Sequence, residues 1–204
     1  METNQNNSKR IAKNTLYLFF RMFLVLAVGL YTSRVVLNTL GVDDYGLYNV
    51  VGSVVVLFGF LQQALNNATY RYLAYGIGQG NQEVLRNTFS MAINAHLILV
   101  VIILLLSETF GLWFLYNKLV IPVERMDAAN FAYQMSILCC CINIIKTPYN
   151  SSNIAHEKMN FYAYTSIVEV ILKLVIVYLL TLGGFDKLML YSFLILVITV
   201  IMLI

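Results

Sequence analysis

Hydrophobic side chains make up 60% of the 204 residues and charged ones only 11%, with a formal net charge of +3. A soluble domain carries roughly 45–50% apolar and about 25% charged residues, and a chain this short has too much surface to hide the surplus. The composition excludes a water-soluble globular domain, and a small charge without any basic run gives no ground for a nucleic-acid partner.

In hydrocarbon, only helices or closed barrels satisfy every backbone polar group. A barrel needs segments of about ten residues with alternating polarity. This chain has unbroken apolar blocks instead, such as residues 97–106. The expectation is an all-α integral membrane protein, a single transmembrane domain over residues 1–204, with six spans at 16–37, 47–67, 91–114, 129–149, 161–182 and 188–204.

The first block follows Lys9, Arg10 and Lys13. It is longer than the roughly 7–15-residue core of a signal peptide and lacks a cleavage site, so it reads as a retained span. It carries Arg21 about a turn inside its start and Arg34 near its far end. Ionised groups are costly at the bilayer centre, so each either snorkels to the headgroups or lines a wet cavity. A connection containing Gly41, Asp43, Asp44 and Gly46 follows. The second span contains Gly52-Ser53, expected at a close helix contact. It ends in a polar stripe in which Gln62, Asn66 and Thr69 or Tyr70 share one helical face. A wet vestibule and interhelical hydrogen bonds explain that stripe equally well. Arg71 follows, in a stretch to Arg86 whose Gly76, Gly78 and Gly80 predict a flexible loop.

The third span holds Asn94, His96 and, near its outer end, Glu108. His96 reads as a hydrogen-bonded interior residue. A connection with Pro122, Glu124, Arg125 and Asp127 leads to the fourth span. Its consecutive Cys139, Cys140 and Cys141 point in different directions on a helix and give no disulfide framework, and Asn143 and Lys146 add polarity. Residues 150–160 connect to the fifth span, where Glu169 and Lys173 stand i, i+4 in the favourable order for a helical ion pair. The sixth block runs apolar to Ile204 without a polar flank. It reads as the last helix of an N-terminal part of a longer membrane protein.

The cationic residues orient the chain. With the N-terminus inside, Lys9, Arg10, Lys13, Arg71, Arg86, Lys146 and Lys158 lie inside, against Arg34, Lys118, Arg125 and Lys187 outside. Catalytic motifs fail one by one. His156-Glu157 begins a zinc-protease motif, but Asn160 stands where the second histidine is needed. Gly76-Ile77-Gly78-Gln79-Gly80-Asn81 lacks the last glycine of a dinucleotide loop, and neither a Walker A nor a G-x-S-x-G motif occurs. The expectation is a protein that is not an enzyme, with no cofactor and no metal.

Two stretches carry a resemblance. One is Leu40-Gly41-Val42-Asp43-Asp44-Tyr45-Gly46-Leu47-Tyr48 after a span with Arg34. The other is Pro148-Tyr149-Asn150, then Ile154-Ala155-His156-Glu157-Lys158-Met159, Tyr162, and Glu169 with Lys173. Together they resemble the Wzx-type polysaccharide flippases (O-antigen or lipid-linked oligosaccharide) of the multidrug/oligosaccharidyl-lipid/polysaccharide exporter superfamily. The resemblance covers essentially the whole chain. It implies one lobe of the MATE/flippase-like fold, whose members have roughly twelve to fourteen helices in two lobes around a central cavity. It implies alternating access that carries undecaprenyl-diphosphate-linked oligosaccharide across the bacterial cytoplasmic membrane for surface polysaccharide and lipopolysaccharide biosynthesis. The partners implied are the bilayer, a C-terminal lobe and the polysaccharide polymerase machinery. The candidate cavity residues are Arg21, Arg34, Arg71, Glu169 and Lys173. A cation-coupled drug exporter of the same superfamily and a purely structural membrane subunit are the alternatives.

Overall fold

The computed structural model describes the backbone of residues 2–156, 159–182 and 186–203, and the side chains of 15–156, 161, 163–180 and 186–203. Among the described residues every regular element is helical. The first, α1 (Glu2–Val56), bends sharply at Gly41, where φ is 84° and ψ is 169°. Side chains rarely adopt that backbone region, and a glycine enters it at little cost. The expected connection at residues 41–46 is therefore a kink one residue wide. Asp43, Asp44 and Gly46 already belong to the second limb, residues 42–56. Gly41→Ala is expected to cost about 1–3 kcal/mol through backbone strain. Gly46→Ala should be nearly neutral, since a Cβ there meets nothing within 4 Å. Thermal unfolding of the two purified variants checks the contrast.

After a break at Leu57 and Phe58, α2 (Gly59–Gln79) continues the chain. It ends where Gly80, at φ 67°, donates its backbone N–H to the Ile77 carbonyl. Asn81 then caps α3 (Gln82–Leu106), its side-chain oxygen accepting from the amides of Glu83 and Val84. The glycine-rich loop expected over 71–86 is thus a tight turn at Gly80 and Asn81. Gly76 is helical and buried, and a Cβ there would touch Leu85 at 3.6 Å. Hydropathy missed this because it reads apolar content, while the helices continue through polar residues.

A π-helical turn, Ser107–Gly111, joins α3 to α4 (Leu112–Asn117). Its widened ring leaves room for the Tyr133 hydroxyl, which donates to the Ser107 carbonyl at 2.9 Å. A 3-10 turn, Val123–Arg125, precedes α5 (Met126–Ala155), which contains Pro148; α6 (Met159–Leu182) and α7 (Lys187–Ile201) follow. The long α5 is the central helix and feeds both apolar cores. Tyr133, Ile137 and Ile144 pack with Val51, Ile103 and Leu115. Ala128 and Ala132 pack with Val36, Ile176, Leu180 and Leu188.

Polar contacts tie three connections to one end of the bundle. The Arg125 guanidinium donates to Asp44 at 2.8 Å and also to Asp186, while the Lys187 ammonium donates to the Thr39 carbonyl at 3.0 Å. The chain therefore reaches this end at the Gly41 kink, before α5 and before α7. Four helical stretches are long and apolar enough to cross a bilayer: Thr15–Val56, Gln82–Asn117, Val123–Ala155 and Ala163–Leu180. The molecule is a helical, multi-pass membrane protein. The helix α7 is apolar but has 15 residues, or about 22 Å of length against a hydrocarbon core of about 30 Å.

Candidate functional site: a polar pocket inside an apolar bundle

The C-terminal half of α5 carries a polar face. Asn143, Lys146, Thr147, Asn150 and Ile154 recur at helical spacing and line one wall of a pocket of about 380 Å³. Arg21 of α1, Gln62 and Asn66 of α2, and Thr165, Ser166 and Glu169 of α6 form the rest. In a bundle this apolar, unpaired polar groups are expensive, so the lining is held by specific hydrogen bonds. The Gln62 amide donates to the Thr147 hydroxyl at 3.0 Å, and that hydroxyl donates to the Asn143 carbonyl at 2.9 Å. Ser151 donates to the Asn66 carboxamide oxygen at 2.6 Å. These contacts lock α2 to α5. On the opposite wall, the Arg21 Nε donates to the Ser166 hydroxyl at 2.6 Å and locks α1 to α6.

Glu169 and Lys173 form the ion pair that their spacing predicts, at 2.7 Å. The pair sits on a divide. Glu169 lines the polar pocket, whereas Lys173 lines a neighbouring one of about 320 Å³ with Gly29, Ser33, Tyr48 and Tyr191. A third pocket, about 530 Å³, shares Gln62 and Asn143 with the first and Tyr48 and Ile195 with the second. The three cavities thus share lining residues, and the ion pair stands between the first two.

Of the candidates read from the sequence, Arg21, Glu169 and Lys173 come together here. Arg34 and Arg71 are exposed and line none of these pockets. The polar stripe of the second span does both things expected of it: Gln62 and Asn66 bond to α5 and also face the cavity. His96 is buried, with its Nδ1 2.8 Å from the Ala92 carbonyl. Gly52 departs from expectation. No atom lies within 4 Å of a Cβ built on it, and it lines the largest of the three pockets with Ser53, so it makes no close helix contact. The sequence marks Asn143 and Lys146 only as polarity, and Asn150 only within the Pro148-Tyr149-Asn150 stretch. Their 3.6-residue periodicity was the available signal.

No family model matches this chain, and no curated protein or solved structure matches it.

The cysteines offer a direct probe of the groove. Cys139 and Cys140 line the third pocket, while Cys141 is buried in the core. In membranes, a small hydrophilic thiol reagent is expected to modify Cys139 and Cys140 and to spare Cys141. Peptide mass spectrometry reads the pattern, and equal modification of all three rules out a wet groove of this shape.

Proposed function

We propose that this chain is one lobe of a flippase for undecaprenyl-diphosphate-linked oligosaccharide in the bacterial cytoplasmic membrane, serving surface polysaccharide biosynthesis. The observation that carries the reading is the polar pocket, which brings Arg21, Lys146 and a set of amides and hydroxyls inside apolar helices. A diphosphate and its sugars cannot enter bare hydrocarbon, because desolvating charges and hydroxyls without partners is prohibitive. A cavity with cations and hydrogen-bonding groups replaces the lost water while the lipid tail stays in the bilayer. On this reading the helices make six crossings. The limb 42–56 with α2 returns the chain from the Arg125 end, α3 with α4 brings it back, and α5, α6 and α7 alternate in turn. The N-terminus lies inside by the distribution of Lys and Arg. This lobe then rocks against a second one, exposing the cavity alternately to each side.

A cation-coupled exporter needs an acid free to take the ion. Glu169 is already neutralised by Lys173, which favours the anionic substrate. In cells whose surface glycan depends on this protein, Arg21→Ala is expected to lower export at least tenfold with membrane abundance unchanged. Quantifying surface glycan beside an immunoblot of membranes decides it, and normal export in that variant rejects the role of Arg21.

A further inference from the structure

The pocket is richer in carboxamides than in charge. Gln62 and Asn66 each spend one end on α5, through Thr147 and Ser151, which fixes their orientation. The Gln62 oxygen and the Asn66 amide remain for the cavity. Asn143 and Asn150, one face apart by seven residues on α5, line the same cavity. Among the described residues, neither of their side chains has a hydrogen-bond partner, and neither has Lys146 an acid within ion-pair distance. A carboxamide offers two donor hydrogens and an acceptor oxygen on one rigid plane. Four of them present donors and acceptors interleaved, and Glu169 adds acceptors. Phosphate oxygens only accept, so the amide oxygens and the Glu169 carboxylate offer them nothing. A sugar hydroxyl both donates and accepts, and neighbouring hydroxyls match the two ends of one amide.

We propose that Gln62, Asn66, Asn143 and Asn150 form a sugar-binding subsite, which takes the hydroxyl-rich part of the substrate and leaves the phosphates to the cations Arg21 and Lys146 of the same pocket. This rests on the flippase reading and assigns which part of the substrate the pocket holds. Asn143 and Asn150 are the discriminating positions, because replacing them removes no bond within the protein.

The test uses the full chain in lipid nanodiscs and compares three ligands: undecaprenyl diphosphate, and the same lipid bearing N-acetylglucosamine or galactose. The wild type is expected to bind the tighter of the two sugar lipids about tenfold better than the bare one, the worth of one or two net hydrogen bonds. Asn143→Leu with Asn150→Leu should bring that ratio close to one, with bare-lipid binding and melting temperature unchanged. Asn143→Ala with Asn150→Ala repeats the test with smaller side chains should the leucines disturb packing. A wild type that binds all three lipids equally overturns the subsite while leaving the flippase reading intact. Variants that keep the wild-type ratio overturn it too. A wild type that binds none of the lipids overturns both.

Discussion

Gly111→Ala is expected to be the most disruptive small substitution in this chain. Gly111 closes the π-helical turn, and a Cβ there would fall on the Tyr133 hydroxyl oxygen and lie 3.0 Å from its Cζ. Tyr133 has no room to retreat, since it is fully buried in the larger core against α3 and α4. Either the hydroxyl leaves the Ser107 carbonyl or the turn reopens. Overpacking a core costs about 1–3 kcal/mol, and a buried hydroxyl deprived of its acceptor costs about 1–3 kcal/mol more. A loss of about 3 kcal/mol or greater is therefore expected, read as a lower melting temperature in detergent. The cause can be isolated. Tyr133→Phe removes only the oxygen and should cost about 1 kcal/mol alone. Combined with Gly111→Ala it should recover part of the loss, because the clashing atom is gone. A double-mutant cycle with no such recovery shows that the glycine acts through something other than Tyr133.

That pair also shows where the sequence stopped being informative. Helix content and the apolar blocks follow from composition and length, and the Glu169–Lys173 contact follows from i, i+4 spacing, because each is a local property. The partners of Gly111 lie 22 residues away on another helix, and no local pattern links them. Gly41 looked like part of a loop because glycine and two aspartates suit turns, yet the helix resumes at once. Asp44 suits the first turn of the second limb, and Arg125 reaches it from the 3-10 turn before α5. Arg34 and Arg71 were attractive because they were cations near spans. Their distance from the pockets depends on which way each helix is rotated, and that is set by packing across the bundle. The rotation of α5 was legible in principle from its polar spacing, whereas the meeting of Arg21 with Ser166 was not.

The ion pair allows a structural role to be separated from the proposed transport role. Lys173→Met leaves the Glu169 carboxylate alone in a membrane helix, and an unpaired charge at mid-span opposes insertion by up to about 2.5–3.5 kcal/mol. Glu169 lines a polar cavity, so part of that penalty is relieved by water. The single variant is expected to reach the membrane in reduced amount. Glu169→Gln combined with Lys173→Met removes both charges, and neutralising a paired site is far less damaging than orphaning one partner. The double variant should therefore regain wild-type abundance. If the pair is only a structural staple between turns of α6, export returns with abundance. If the pair divides the polar pocket from its neighbour, as its position indicates, the double variant inserts normally and exports at least tenfold less glycan per molecule. Membrane abundance and surface glycan measured on the same cells give the two answers together. Full export by the double variant rejects a transport role for Glu169 and Lys173 and leaves Arg21, Lys146 and the amides of α5 as the proposed working surface of the pocket.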